Sequence, residues 1–414
     1  MRRFNLLYAV FAIFVCSGLC DSDVSYSTEN AFLQGYLDAL SASDYDPRVP
    51  PDGNNGEGSP VEVFMSMHIL NIHRIDDFSM DYRAQFYFRQ TWNDSRLQFS
   101  DQELSFINMR DVEKLWKPDL FFVEEKEGMM HNVVSPNVFV RIKPNGEVLY
   151  SIRLSITFSC SMDFRKYPHD IQKCTFNIES YGYQRNHIEL DWDRRKPDFM
   201  SVSNDFGFQD FDLIDVKPGA KREVYLSGEY SSLQVTLTFQ RKSGFFVTRL
   251  CIPFIILVLL AWLSFWIKAK AMTLRLTLLL VILYFMVSLG SEVNDYIPPA
   301  PYTKGSDVWI AVCESLVFAA FLEFIAINLI SQKEEKSAEK KFLKDPEISP
   351  ELNLKAKKAA GNTDDVNSVV NFLTNRLTNE PKLSIRIDKI WRILYPVCFL
   401  FFNIVYWSVY CNGA

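Results

Sequence analysis

The sequence predicts two fold classes in one chain: an extracellular antiparallel β-sandwich (immunoglobulin-like), followed by an all-α four-helix transmembrane domain. Three observations predict this. Up to about residue 240 the chain reads as short period-two runs separated by turn signals. The long apolar runs come after Arg249. The N-terminus carries a leader of the kind that directs export.

Met1-Arg2-Arg3 precedes an apolar run from Leu6 to Val15, small residues stand at Ser17 and Gly18, and Asp21 opens an acidic stretch. That is the form of a signal peptide over 1–20, cut near Cys20. As a first membrane anchor the run falls short of the roughly 20 residues that a spanning helix needs. The exported domain covers 21–245. It opens with a short helical candidate, Glu29 to Leu40, and a Pro/Gly/Asn-rich link from Pro47 to Pro60. Alternation then sets in over Val61–Met65, around Phe86-Tyr87-Phe88, over Val148–Leu154 and over Leu233–Phe239, with Pro144-Asn145-Gly146 as a turn.

Leu250–Ile267 and Leu276–Ser291 are uncharged, Val308–Ile330 is apolar but carries Glu314 and Glu323, and no charge follows Ile393. Four spans result: three within 246–330, the second at about 272–295, and a fourth over 388–411. Residues 331–387 are polar and Lys-rich and read as a cytoplasmic loop, partly disordered. The turn between the first two spans carries Lys268, Lys270 and Arg275, which the positive-inside rule places in the cell. The expectation is a multi-pass plasma-membrane protein with both termini extracellular.

The net charge of −6 gives no basis for nucleic-acid binding. Of eight cysteines, Cys16 and Cys20 belong to the leader, and Cys251, Cys313, Cys398 and Cys411 lie in or beside apolar runs. Cys160 and Cys174 are left as an isolated pair in an oxidising compartment, where they are expected to form a disulfide. No CxxC or Cys/His cluster suggests a metal, and no nucleophile–base pair suggests an enzyme, so no cofactor is expected.

Cys160 and Cys174 enclose 13 residues that contain Tyr167-Pro168-His169-Asp170. An aromatic-Pro-x-Asp motif in a loop of this size resembles the Cys-loop, or pentameric ligand-gated, ion channels. Trp116-Lys117-Pro118-Asp119, Asp81-Tyr82-Arg83, Trp92-Asn93-Asp94 and Asn145-Gly146-x-Val148-Leu149-Tyr150-Ser151 look like the glycine, GABA and glutamate branch. So do Trp262-x-Ser264-Phe265-Trp266, Asp307-x-Trp309-x-Ala311-Val312-Cys313 and Asn403-x-Val405-Tyr406-Trp407. The resemblance covers roughly 30–330 and 385–410 and implies one subunit among five, in membrane lipid, as a homo- or heteropentamer. It implies a small amino-acid or amine agonist at subunit interfaces and a pore lined by the second helix.

A carboxylate calls for a guanidinium fork and hydroxyls, and an ammonium calls for aromatic faces and an acceptor. Tyr87 and Arg89 match the family's carboxylate-binding strand, and Arg141, Ser151 and Arg153 the facing strand. Glu179, Ser180 and Tyr181 match the loop around the ammonium. Tyr225, Ser227 and Tyr230 match the capping loop, and Phe121 and Phe122 the remaining one. The alternative for these residues is a core role for the aromatics and a neighbouring acid as partner of Arg89.

At helical spacing the pore face is expected to hold Arg275, Thr277, Val281, Tyr284, Ser288, Ser291 and Asp295. The family's Pro-Ala-Arg entrance motif is Thr273-Leu274-Arg275 here, and Tyr284 takes the central gate position where the family has Leu. A ring of Arg275 and Lys270 favours chloride as the permeant ion. The rival is a subunit that conducts poorly or only with partners, motivated by Tyr284, or one that is cation-permeable. Coupling between the domains is assigned to Arg241, with the disulfide loop, Asp76 or Asp77 as acidic partner, to Pro168, expected to be cis, and to the turn at Pro298. Asn93-Asp94-Ser95 has the form of a glycosylation sequon.

Overall fold

The computed structural model describes residues 34–36, 38, 45–53, 56, 58–100, 104–109, 111–203, 210–267, 271–344 and 383–411, without side chains at 335, 338–344 and 411. The expected leader, most of the helical candidate Glu29–Leu40, Lys268, Lys270 and the loop centre 345–382 lie outside the described residues. Two compact units form. One holds Met1–Met162, Lys173–Gln209 and Leu213–Phe239; the other holds Asp163–Gln172, Asp210–Asp212 and Gln240–Ala414.

The first unit is a sandwich. Its strands, some of which run on into the second unit, are β1 (Val61–Asp76), β2 (Asp81–Asn93), β3 (Ile107–Met109), β4 (Leu120–Phe122), β5 (Glu125–Met130), β6 (Val138–Ile142), β7 (Glu147–Ser159), β8 (Ile171–Ser180), β9 (Ile188–Trp192), β10 (Met200–Val202), β11 (Phe211–Tyr225) and β12 (Gly228–Arg241). One sheet runs β10-β1-β2-β7-β6-β3, with β5 on β7 and β9 on β1; the other runs β11-β12-β8-β4. Alternation along β2 and β12 sends every second side chain inward, so aromatic residues from both sheets fill the gap. Phe158 stacks on Phe176 at 4.3 Å, and Tyr82 meets Phe239 at 5.7 Å.

The purely antiparallel expectation needs correcting: β1 pairs in parallel with β9 and with β10. The chain crosses to the other sheet in β8 and comes back to the free edge of β1, running in its direction. Period two encodes which face is buried and says nothing of strand direction. Asn93 ends β2 opposite Glu147, and its Oδ1 lies 3.3 Å from where a Cβ on Gly146 would stand. Gly146, at φ +83°, makes the turn that the Asn145-Gly146 pair announced.

The second unit is helical: α1 (Gly244–Trp266), α2 (Met272–Asn294), α3 (Gly305–Lys344) and α4 (Leu383–Cys411). All four are long and apolar enough to cross a bilayer. In α1 a π turn at Val247–Cys251 precedes Pro253, which has no N–H for the ladder. Narrow stripes face inward, such as Phe254, Val258 and Ala261 of α1 and Trp309, Cys313 and Val317 of α3. The outward side of α4 is as apolar as its core, with Val397, Leu400, Phe401 and Ile404 exposed, as expected where lipid replaces water. Helix α3 continues past Ile330 to Lys344, and α4 starts at Leu383, so both ends of the expected loop 331–387 are helical. Glu334 ties those ends together, accepting from Leu383 N at 2.6 Å and Ser384 Oγ at 3.0 Å.

Candidate functional site

The residues assigned to the agonist fall on two faces of the sandwich. Tyr87 and Arg89 stand two apart in β2 and emerge on one side, while Phe86 and Phe88 point into the core. The register sets Arg89 opposite Ser151 and Tyr87 opposite Arg153 of β7, and opposite Ser66 and His68 of β1 on the other side. The Arg89 guanidinium lies 5.6 Å from the Tyr87 ring centroid. Arg141 lies 4.8 Å from the rings of both Phe106 and Phe139, and its Nε donates to Asn108 Oδ1 at 3.3 Å. Arg153 donates to Asn137 Oδ1 at 3.4 Å. Among the described residues none of these three arginines forms an ion pair. The alternative of a neighbouring acid on Arg89 is therefore not what the structure contains. Guanidinium groups steadied by rings and amides offer positive charge and forked donors that an anion could use.

The other face is acidic and aromatic. Phe121 of β4 sits opposite Glu179 of β8. Glu179 is 2% exposed and accepts a hydrogen bond from Tyr225 Oη at 3.1 Å. Burial, and next that bond, push the Tyr225 phenol above its ordinary pKa. Tyr225 and Tyr230 pack edge to face at 5.7 Å, and Tyr230 Oη donates to Ser227 Oγ at 3.1 Å. Tyr181 is 80% exposed, with its ring 5.7 Å from Phe121. Gly228 turns β11 into β12 at φ +139°, where a Cβ would strike Gln184. Gln184 in turn donates to Ser227 O at 2.6 Å, fixing the turn.

Ser180, assigned with Glu179 and Tyr181 to the loop around the ammonium, is buried, and its hydroxyl donates to Asp119 Oδ1. Asp119 also accepts from Gly182 N at 2.6 Å, so Ser180 braces the loop that presents Tyr181. Phe122 likewise belongs to the core, against Phe86 and Phe158. Sequence reasoning missed Asp119 as that brace. It also missed Glu124, which holds Asn177 through N at 2.6 Å and Nδ2 at 2.9 Å, its carboxyl pushed up by burial. Nor did it single out His68, which stacks on Tyr87 at 6.2 Å and bonds Ser201 at 2.8 Å. The Trp-x-Pro-Asp motif pointed at Asp119; nothing local pointed at the other two.

The disulfide Cys160–Cys174 is formed, with Cα atoms 5.1 Å apart, and Tyr167–Pro168 is cis. The tip of this loop, Asp163–Gln172, belongs to the helical unit. Phe164 N donates to Tyr302 Oη at 2.9 Å, and Gly305 N and Ser306 N donate to Arg165 O and Tyr167 O, each at 3.1 Å. Arg241 grips Asp170 with Nε at 2.8 Å and Nη2 at 3.1 Å, under the rings of Tyr167 and Phe211 at 4.7 and 4.4 Å. The loop thus supplies an acid for Arg241. Asp76 instead caps its own turn, accepting from Phe78 N and Ser79 N at 2.9 and 3.2 Å, and pairs with Arg74. Pro298 O accepts from Lys304 Nζ at 3.1 Å in the turn before α3.

Along α2, Thr277, Val281, Tyr284, Ser288, Ser291 and Asp295 are all exposed, and Tyr284 is 70% exposed. Arg275 does not join them. It is 1% exposed, in a buried stripe with Leu279, Ile282, Met286 and Gly290. Nine residues make two and a half turns, so Arg275 points about 180° away from Tyr284. Its guanidinium bonds Glu323 of α3 and Asp388 of α4. An arginine ring in the lumen is therefore not formed by this side chain.

The chain matches the family description "Neurotransmitter-gated ion-channel ligand binding domain" over residues 34–243 and "Neurotransmitter-gated ion-channel transmembrane region" over 250–365. It is 32% identical over 443 aligned positions to a glutamate-gated chloride channel of Drosophila melanogaster, covering 97% of each chain. With a sandwich, a disulfide-closed loop and four spanning helices in the order these matches require, the chain belongs to the neurotransmitter-gated, or Cys-loop, ion-channel family and is a multi-pass membrane subunit of a ligand-gated channel, not an enzyme.

Proposed function

We propose that five such subunits, alike or mixed, form a plasma-membrane channel that a small amino acid or amine opens and that passes chloride. The observation that carries the agonist reading is the pairing of opposite chemistries on one chain: the Glu179–Tyr225–Tyr230 cluster, and Arg89, Arg141 and Arg153, which form no ion pair among the described residues. Copies side by side in a ring bring the first face of one against the second face of the next. An ammonium then meets Glu179 and the aromatic rings, and a carboxylate meets Arg89 and Ser151. The leader, and Lys268 and Lys270 between the first two spans, support extracellular termini.

The chloride reading draws on the similarity to a chloride channel, because Arg275 is spent inside the subunit. A second reading has its own observation. Exposed Tyr284, with Glu292 and Asp295 exposed nearer the other end of α2, suits a channel that conducts poorly or admits cations. Currents from the full chain, tested against a panel of amino acids and amines with ion substitution, separate the readings. Reversal potentials that follow chloride support the first. Potentials that follow sodium, or silence relieved by Tyr284→Leu, support the second.

A further inference from the structure

All four helices converge on one guanidinium. Arg275 of α2 donates through Nη2 to Glu323 Oε2 of α3 and through Nη1 to Asp388 Oδ1 of α4, the latter at 3.0 Å. Its Cζ lies 5.5 Å from the ring of Phe265, in the last turn of α1, and 5.7 Å from that of Phe324 of α3. Arg275 and Glu323 are each 1% exposed at the side chain. The rest of the buried stripe of α2, Leu279, Ile282, Met286 and Gly290, carries no charge or hydrogen-bonding side chain. Apolar residues ring the helix: Leu274, Leu276, Leu280, Val281, Phe285 and Val287 are exposed, while Leu279, Ile282 and Met286 are buried. Turning the helix by one position exchanges one apolar side chain for another, a change that cores tolerate. Arg275 cannot follow such a turn without stranding two buried carboxylates and itself.

We infer that Arg275 is a positioning residue: with Glu323 and Asp388 it fixes the rotation of α2 that presents Tyr284, and it passes movements of the outer helix α4 to α2. The inference rests on the reading that α2 lines the pore. Its consequence is that the charge of Arg275 sets how readily the channel opens and leaves the choice of ion alone.

The test uses the full chain at the cell surface, in a Cys398→Ser, Cys411→Ser background that leaves Cys251 and Cys313 buried and Cys160 joined to Cys174. Tyr284→Cys reports the exposed face and Ile282→Cys the buried stripe, each probed with a small hydrophilic thiol reagent, which requires no current. The expected result is labelling at 284 and none at 282, with 282 becoming reactive once Asp388→Asn or Arg275→Gln is added. The isosteric Asp388→Asn serves where the arginine variant fails to reach the surface. In current recordings each of these two single variants moves the half-activating agonist concentration by at least about fivefold. The double variant moves it no further than the larger single change, because both remove one shared interaction. The reversal potential under chloride dilution stays in place throughout. A reversal potential displaced in Arg275→Gln, an unmoved half-activating concentration in Asp388→Asn, or a position 282 that stays unreactive overturns the inference. A position 284 that never reacts overturns the pore-lining reading instead.

Discussion

Arginines in the sandwich and arginines in the helical unit do opposite work with the same group. Arg89, Arg141 and Arg153 stand on a half-open sheet face, held by rings and amide oxygens, with no acid among the described residues to neutralise them. Arg241 and Arg275 are buried among rings and bonded to acids, Asp170 for the first and both Glu323 and Asp388 for the second. The difference teaches that a guanidinium is a hand for a ligand where the fold withholds carboxylates, and a strut where the fold delivers them. A buried charge without a partner is costly, so the helical unit must deliver them. A half-exposed one is solvated and can wait for a ligand.

The comparison breaks most visibly at Asp170. Asp170→Ala leaves Arg241 buried and deprived of this bidentate acid, and removing one partner of a buried pair costs about 3–5 kcal/mol. Surface biotinylation should show little mature protein, and thermal unfolding of what remains should begin well below wild type. The same loss from Asp76→Ala would contradict the assignment, since Asp76 caps an exposed turn.

Arg89→Ala should leave folding nearly untouched and weaken the agonist. A charged hydrogen bond is worth about 1.5–3 kcal/mol, so the half-activating concentration should rise by roughly 10- to 150-fold. Arg89→Lys keeps the charge without the fork and should recover part of the loss. An unchanged response would remove Arg89 from the site.

Tyr225→Phe sharpens the other face with a smaller effect. It deletes the bond to Glu179 and keeps the ring, for a loss of about 1 kcal/mol, or near fivefold in half-activation. A response equal to wild type would mean that Glu179 is oriented by something other than Tyr225.

Much of the sandwich was legible because alternation and turn chemistry are local. Val61–Met65 and Leu233–Phe239 announced strands, and Asn145-Gly146 announced a turn that Gly146 makes at positive φ. The parallel pairing of β1 with β9 and β10 was not legible, because strand direction is decided by where the chain has already been. In the site, Tyr87 and Arg89 are assigned through the family resemblance, and their spacing of two in a strand puts them on one side of the sheet. The bracing role of Ser180 was not legible, since its partner Asp119 is 61 residues away in the chain.

By itself the sequence determined four spans, a β-rich domain before them, the disulfide pair and the family, since each is written in apolar run length, periodicity or motif. The tertiary structure decided what each charge faces. Glu323 and Asp388 lie 48 and 113 residues from Arg275, so no window of sequence could show that they claim its guanidinium. The same holds for Arg89, whose availability depends on the serines, Ser66 of β1 and Ser151 of β7, that the register sets beside it. Apolar burial follows a pattern the chain carries locally, whereas electrostatic partnership is settled only when distant segments meet.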